Sequence, residues 1–359
     1  MPDGVVGGRV NWAIDRHQII PGDCLEVLAT QLKASSVDVV VTSPPYNLNL
    51  AYSLYDDEKT EADYLAWLVS VANGIKRVLK SNGSFFLNIS GSNSKPWIPF
   101  EIIVRLRKAG FSLQNHITWI KSITIESEST GHFKPIPGKR FMHHNHEHVF
   151  HLTINNDVQL DRLAIGIPFQ DKTNISRRGH ARDLRCRGNT WFIPYPTVKT
   201  RAQKYWHPGT FPVELPLWCI YLHGQRKAVV LDPFMGTGTT LVAAHYAGAT
   251  GIGIDVDSVY IATACQRVTE AVESSMLVIL NQHEMTELFK QDAAGREGGG
   301  WQRRIVLFQE RLNKTTGELS LTADDVEWIR RHGSHSEKGS WQRWVNAAFG
   351  RHIDLTVPA

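Results

Sequence analysis

No two cysteines of this chain lie close in sequence. The four, Cys24, Cys186, Cys219 and Cys265, form no C-x-x-C pair, which argues against a disulfide framework or a zinc ribbon and fits a reducing cytoplasm. Long apolar runs are missing too. None approaches the ~18 residues of a membrane span, and Met1 to Val10 has neither a basic segment leading into an apolar stretch nor a cleavage site. A protein that is neither exported nor embedded is expected. There is also no large excess of either charge. With 39 Lys and Arg against 35 Asp and Glu the formal net charge is +4, so a nucleic-acid footprint has to come from local clustering. The pyrophosphate pattern G-x-G-x-x-G is absent as well, which weakens a dinucleotide reading.

What is present describes an ordinary globular protein. Hydrophobic residues make up 42% and charged residues 21%, enough for a sizeable core. A length of 359 residues accommodates one large α/β domain and a smaller appendage. After a Gly-rich leader and the turn Pro21-Gly22-Asp23, a helical pattern runs from Leu25 to Leu32. Val37 to Val41, β-branched except for Asp38, is too short for a helix and reads as a strand buried in a parallel sheet. A helix fits Ala62 to Leu79, the turn Lys80 to Gly83 follows, and Ser84 to Ile89 is a second apolar strand. Pro99 to Ala109 repeats the helix with proline in its first turn, and Leu113 to Trp119 is a further strand. The alternation resumes with helix Phe211 to Leu222, strand Ala228 to Leu231, helix Thr239 to Ala247, strand Gly251 to Ile254 and helix Val259 to Val272. This order predicts an α/β fold with a doubly wound, mostly parallel sheet. The catalytic domain is expected over 16–280, interrupted at 121–206 by an insertion rich in Pro, Gly, Asn and Arg that carries recognition loops. Residues 281–300 read as a Gly-rich linker and 301–359 as a small C-terminal helical module. Two strings there are alike, Gly300-Trp301-Gln302-Arg303 and Ser340-Trp341-Gln342-Arg343, a hint of an internal repeat too short to carry chemistry.

Ser43-Pro44-Pro45-Tyr46 ends the Val37 strand, where open α/β sheets hold their reactive groups. The exocyclic amine of a nucleobase is a poor nucleophile because its lone pair is delocalised into the ring. Acceptors that hold its N–H groups favour the pyramidal, reactive form. The Ser43 hydroxyl and the Pro44 carbonyl are such acceptors, since proline fixes the backbone and needs no N–H partner. Tyr46 offers a flat face to a base swung out of the helix. With a sulfonium methyl donor, placement and hydrogen bonding suffice, and no potent general base is required. Taken alone, the tetrapeptide is equally a plain turn.

A second signal changes that balance. Val229 to Thr240 contains a strand, the acid Asp232, the turn Pro233-Phe234-Met235-Gly236-Thr237-Gly238 and a helix start at Thr239. Glycines let the backbone approach a ligand, and a helix start favours a carboxylate. Asp232 is suited to accept from an ammonium group. Asp255, ending the next strand roughly 20 positions on, is suited to ribose hydroxyls. An amino-acid head with a ribose describes S-adenosyl-L-methionine better than a dinucleotide.

In combination these motifs resemble the β-class amino-methyltransferases of DNA, over residues 16 to 270 or so. The resemblance implies S-adenosyl-L-methionine as cofactor, held by the loop of Asp232, Phe234, Gly236, Gly238 and Thr239 and by Asp255. Asp23 and Cys24 match a segment near its adenine. His207-Pro208-Gly209-Thr210-Phe211-Pro212 matches the segment before the loop, with Thr210 and Phe211 near the methionine part. It also implies double-stranded DNA as substrate, a target-recognition region at 121–206 and, as partners, a second copy in a homodimer and a cognate restriction endonuclease. In this family S-P-P-Y is characteristic of cytosine-N4 enzymes and D-P-P-Y of adenine-N6 enzymes, so N4-methylcytosine is the expected product. Asn47-Leu48 also occurs after D-P-P-Y, which keeps adenine N6 as the alternative. A catalytically silent DNA-binding module is a more distant one. Cytosine C5 chemistry, which needs a cysteine nucleophile that normally follows a proline, is not expected, since none of the four cysteines does so.

The second half of the insertion is locally basic, with Lys172, Arg177, Arg178, Arg182, Arg185, Arg187, Lys199, Arg201 and Lys204 against Asp171 and Asp183. Such a run is usually a solvated loop, but beside a flipped-base site it is expected to face DNA. His143-His144-Asn145-His146-Glu147-His148 alternates like a strand. Because a metal would need convergent ligands and an open position, no metal is expected there, and the strip is taken as structure near the DNA. Trp119, Trp191 and Trp206 are expected as core or loop anchors.

Overall fold

The structure, a computed structural model, describes residues 5–6, 9–47, 59–125, 128–131, 139–167, 169–171, 173–177, 185–195, 209–225, 227–273 and 276–290. Beyond these it describes 305, 307–309, 311–312, 317–322, 325–326, 328–329, 345, 347–350 and 352–353. The chain divides into two compact units, Met1–Ile165 with Arg187–Thr269, and Gly166–Cys186 with Glu270–Ala359.

The first unit opens with the hairpin β1 (Val5–Val6) and β2 (Arg9–Val10), then β3 (Trp12–Ile14) and β4 (His17–Pro21). Helix α1 (Cys24–Thr30) follows, capped by Asp23, whose carboxylate accepts from the Leu25 and Glu26 amides. The pattern read for Val37 to Val41 forms β5 (Val37–Thr42), buried at every position. Helix α2 (Glu61–Val78) starts at the Thr60 cap. It leads into β6 (Leu79–Ile89), α3 (Ile98–Lys108) and β7 (Ser112–Ile120), with the short hairpin β8 (Ser122–Ile125) and β9 (Glu128–Gly131) behind it. Strand β10 (His146–Thr153) comes next. In the second unit α4 (Thr173–Arg177) lies between the paired residues Ile167 and Arg185. The first unit then continues with β11 (Thr190–Phe192), α5 (Glu214–His223), β12 (Val229–Asp232), α6 (Thr239–Tyr246) and β13 (Thr250–Asp255), and ends within α7 (Ser258–Glu273).

One nine-stranded sheet organises this unit, in the order β11-β7-β10-β6-β5-β12-β13-β4-β3. The run β6, β5, β12, β13 and β4 is parallel throughout, whereas β10 and β3 are antiparallel to their neighbours. Successive residues of β5 feed opposite cores. Val37 and Val40 pack with α1, α2 and α3 through Leu28, Ile75 and Ile102, while Val39 and Val41 pack with α5 and α6 through Leu215, Cys219 and Ala243. The expected doubly wound, mostly parallel α/β architecture is therefore the one observed.

Two expectations fail for identifiable reasons. The turn expected at Lys80 to Gly83 is extended chain within β6. Leu79 pairs with Val37, and Lys80 Nζ reaches 2.7 Å to the carboxylate of Asp38, the odd polar residue of β5, which also accepts from the Val229 amide. That ion pair is what makes a buried aspartate tolerable there. Second, the segment 121–206 is not wholly an insertion of loops. Strand β10 sits inside the sheet between β6 and β7, sending Phe150 and Leu152 to one core and Val149 to the other, and β11 forms the sheet's edge. The alternation of its polar beginning marked a strand, but not that the strand continues to Thr153 and joins the central sheet.

The second unit corrects the reading of the tail. Part of the expected linker 281–300 is helix α8 (Gln282–Lys290), and the expected helical module contains strand β15 (Glu318–Leu321), paired antiparallel with β14 (Met276–Ile279). The unit is built twice over. The same sequence interval separates Val278 from Leu319, Asn281 from Thr322, Glu284 from Asp325, Leu288 from Ile329, Phe308 from Phe349 and Arg311 from His352. Val278 pairs with Leu319 at the centre of the ribbon. Asn281 with Glu284, and Thr322 with Asp325, each form a reciprocal capping box. Each box carboxylate then meets the other half's base, Glu284 with His352 at 3.1 Å and Asp325 with Arg311 at 2.7 Å. The leucine, isoleucine and phenylalanine pairs lie in one core. The two Trp-Gln-Arg strings lie outside the described residues.

Candidate active site

Parallel pairing brings the carboxyl ends of β5, β12, β13 and β4 to one edge, and with them the turns singled out in the sequence. Thr42, the last residue of β5, donates to Asp232, the last of β12, at 2.6 Å. Pro44 and Phe234 line one small apolar cavity together with Thr42. The Ser43 turn and the glycine loop are thereby joined. Beside them the Gly22 amide donates to the Asp255 carbonyl, and the Gly236 amide donates to Asp255 Oδ2, both at 2.8 Å.

On the glycine-loop side, Asp232 differs from its expected role. It is 1% exposed, and its carboxylate accepts from the hydroxyls of Thr42 and Thr240 and from the Phe234 amide. It is a clamp between strand, loop and helix rather than an open acceptor for an ammonium group. Burial pushes its pKa up to about 6. Asp255 is half-buried and likewise raised to about 6, by burial above all. Gly236 and Gly238 have φ of 50° and 80°, and a Cβ on Gly238 would stand 2.9 Å from that of Ala264. Arg267 Nη1 donates to the Thr237 carbonyl and to Thr239 Oγ1, tying down the start of α6. Phe234 packs against Trp67 with ring centres 5.3 Å apart. Cys24 is buried, its thiol pushed up to about 12, so it packs and does not react. Thr210 Oγ1 lies 3.5 Å from the Tyr195 hydroxyl, and Phe211 packs against the core beneath α5. Asp255, the partly exposed carboxylate of the site, resists a pyrophosphate and suits a ligand offering ribose hydroxyls, and the glycine turn admits close approach, so S-adenosyl-L-methionine fits the residues present.

The Ser43 side holds a hydrogen-bond network. Ser43 Oγ donates to Tyr46 Oη at 2.9 Å, and Tyr46 Oη donates to Glu147 Oε2 at 2.8 Å. Asn88 Nδ2 donates to both Tyr46 Oη and Glu147 Oε2 at 2.9 Å and reaches Ser43 Oγ at 3.4 Å. Lys121 Nζ sits 3.0 Å from Glu147 Oε1. The Tyr46 phenol is raised well above its usual range by burial and by the Glu147 charge, so it stays protonated. Tyr64 donates to the Pro45 carbonyl at 2.6 Å and Lys95 to the Asn47 carbonyl, which fixes the turn on either side of Tyr46. Sequence motifs alone do not single out Glu147, Asn88 and Lys121 as site residues. The available signals were a polar residue in the apolar strand Ser84 to Ile89, a lone acid in the histidine strip and a lysine just past Trp119.

Comparison with known proteins decides the family. The family model described as DNA methylase, covering N6 and N4 methyltransferases, matches residues 37–266. The chain belongs to this family. It is 28% identical over 265 residues to the DNA adenine methyltransferase YhdJ of Escherichia coli, covering 70% of this chain and 83% of that one. It is 23% identical over 265 residues to the type II methyltransferase M.ScaI of Streptomyces caespitosus, covering 70% and 81%. Among solved structures, the cytosine-N4-specific PvuII DNA methyltransferase shares the fold, with TM-score 0.52, 20% identity and 70% of this chain covered against 86% of that one. The protein is a DNA methyltransferase, and S-adenosyl-L-methionine is its cofactor. Bound, that cofactor supplies an electrophilic sulfonium methyl.

In this methyltransferase the described residues of the basic run differ in their surroundings. Arg177 and Arg185 are exposed. Arg187 is instead built into the fold: its Nε donates to the Ile165 carbonyl at 2.9 Å and its guanidinium lies 4.2 Å from the Trp218 ring centre. Lys172, Arg178, Arg182, Lys199, Arg201 and Lys204 lie outside the described residues, as do Leu48, Trp206, His207 and Pro208. In the histidine strip, His148 packs beside the rings of His116 and Phe150, which stack on each other, and it bonds His116 at 2.9 Å; burial lowers its pKa to about 4. His144 bonds Asn93. Trp119 and Trp191 are buried anchors that donate to the Ile193 and Gly188 carbonyls. No helix among the described residues is long and apolar enough to cross a membrane.

Proposed function

We propose that this methyltransferase modifies the N4 amine of cytosine, turned out of double-stranded DNA at a specific sequence. Serine rather than aspartate before Pro44-Pro45-Tyr46 supports cytosine, and what supports an exocyclic amine as the target is the direction of the Ser43 hydroxyl. Its hydrogen is committed to Tyr46, so its oxygen faces an incoming N–H as an acceptor, as a base amine requires. Tyr46, anchored through its own hydroxyl, offers its ring to the extruded base. Asp23, Thr210, Phe211, Phe234, Gly236, Gly238, Thr239 and Asp255 form the cofactor side, and the exposed Arg177 and Arg185 meet phosphate or guanine. Relatives named type II methyltransferases support a cognate restriction endonuclease as partner.

One relative favours a second reading. YhdJ is named an adenine methyltransferase, which supports adenine N6. Nucleoside mass spectrometry of DNA incubated with protein and labelled cofactor separates the two. Label is expected in N4-methylcytosine, and label in N6-methyladenine overturns the cytosine assignment. Ser43→Ala is expected to lose methyl transfer while retaining cofactor binding by calorimetry.

A further inference from the structure

All hydrogens in the Ser43 network point one way. Ser43 gives its hydrogen to Tyr46, and Tyr46 gives its own to Glu147. Asn88, 2% exposed, adds only donors to that line, so it holds the oxygens in position and takes no proton from them. The line ends on a carboxylate whose charge Lys121 balances. Side-chain exposures of 13% for Glu147 and 21% for Lys121 leave that end in reach of water. Ring stacking, a plain structural need, does not explain why a buried phenol is wired at both ends.

We propose that Glu147 is the proton sink of methyl transfer, fed from the target amine through Ser43 and Tyr46. The inference rests on the reading of Ser43 as the amine's partner and is the same for cytosine N4 and adenine N6. Once the amine nitrogen has used its lone pair to bond the methyl carbon, it is cationic and carries one proton too many. That N–H bond breaks toward Ser43 Oγ while the Ser43 hydrogen passes to Tyr46 Oη and the Tyr46 hydrogen to Glu147 Oε2. One N–H bond is lost and one O–H bond is gained at Glu147, whose negative charge disappears together with the positive charge on nitrogen. A methylated aminium is a far stronger acid than a carboxylic acid, so the transfer runs downhill. Glu147 then releases its proton to water beside Lys121. Glu147 touches no reacting atom and is a positioning and relay residue, with Asn88 and Lys121 in support.

The test compares Glu147→Gln, Tyr46→Phe, their combination and Glu147→Asp in single-turnover methylation of DNA, scoring whichever nucleoside is labelled. Glutamine keeps an oxygen for the Tyr46 hydroxyl and the Asn88 amide, and removes the basicity together with the Lys121 ion pair. Glu147→Gln is expected to slow turnover about 10²-fold, to erase the acid limb of the pH–rate profile and to reduce the solvent isotope effect. Tyr46→Phe is expected to do the same, the double variant to be no worse than either single, and Glu147→Asp to recover part of the rate with the acid limb restored. Cofactor binding by calorimetry and DNA binding by anisotropy are expected to stay within about twofold of the parent. Retention of the full rate and acid limb in Glu147→Gln overturns the relay, as does a rate loss matched by an equal loss of DNA or cofactor binding. If the label appears in adenine, the cytosine reading fails while these comparisons still decide the relay.

Discussion

Two carboxylates are wired to the Ser43 turn, and they are held differently. Asp232 is joined through Thr42, surrounded by neutral donors, and burial raises its pKa to about 6. Glu147 is joined through Tyr46, faces a cation and keeps some contact with water. The contrast teaches that an acid in a glycine-rich loop can serve as masonry, while the acid proposed to handle a proton stands in a strand whose sequence shows only alternation. A clamp works by saturating its oxygens. A relay works by ending in a group that can change its charge.

The sharpest way to break this comparison is to remove each carboxylate. Asp232→Ala leaves two buried hydroxyls and an amide without their acceptor, so a loss of about 3 kcal/mol or more is expected in urea denaturation. Glu147→Gln is expected to cost no more than about 1 kcal/mol. Equal losses would erase the distinction. Gly238→Ala comes next, because it strains a φ of 80° and presses on Ala264, at a cost of about 1–3 kcal/mol. Cofactor affinity is expected to fall with it, since the loop backbone must shift.

Acid provides a second comparison, between histidines and aspartates. Burial lowers His17, His148 and His245 to about 4 and His151 to about 3, whereas unfolded histidine titrates at about 6.5. The unfolded chain therefore binds more protons in between, and stability that is full above pH 6.5 or so is lost as the pH falls toward those folded values. Asp232 and Asp255, raised to about 6, work the other way. For them the folded chain holds the proton, so acidification from that pH toward their unfolded value adds stability. The histidines are more numerous, so Tm measured by calorimetry is expected to drop steadily from pH 7 to pH 4.5. Asp232→Asn, which lacks the compensating gain, is expected to drop more steeply, and a parallel course would remove Asp232 from the account.

The smallest effect separates two arginines of one basic run. Arg177→Ala is expected to leave stability within about 0.5 kcal/mol and to reduce the slope of log DNA affinity against log salt by about one. Arg187→Ala is expected to lower Tm and leave that slope alone, since its guanidinium is spent on Trp218 and Ile165. Exchange of these outcomes would assign the DNA-facing role to Arg187.

Much of the fold was legible because its signals are local. Val37 to Val41 reads as a strand from five residues, and the Gly236 to Gly238 turn follows from its own glycines. The site was legible where one motif carried it, at Ser43 to Tyr46. It was hidden where three elements meet, because Glu147 of β10, Asn88 of β6 and Lys121 past β7 become neighbours only through antiparallel pairing of β10 between the other two. The tail shows the same limit. Two short similar strings hinted at duplication, yet its proof lies in the pairing of Val278 with Leu319 and the exchange of ion pairs between the halves.

By itself, then, the order of residues determined the layered α/β architecture, the two reactive turns and the kind of ligand they suit, since each depends on backbone preferences and side-chain chemistry within a few positions. Tertiary structure alone decided which acid is sealed and which is wired to Tyr46, that Arg187 is internal, and that the tail is a doubled unit. These depend on distances between residues far apart in sequence, and such distances exist only once the sheet has closed its strand order.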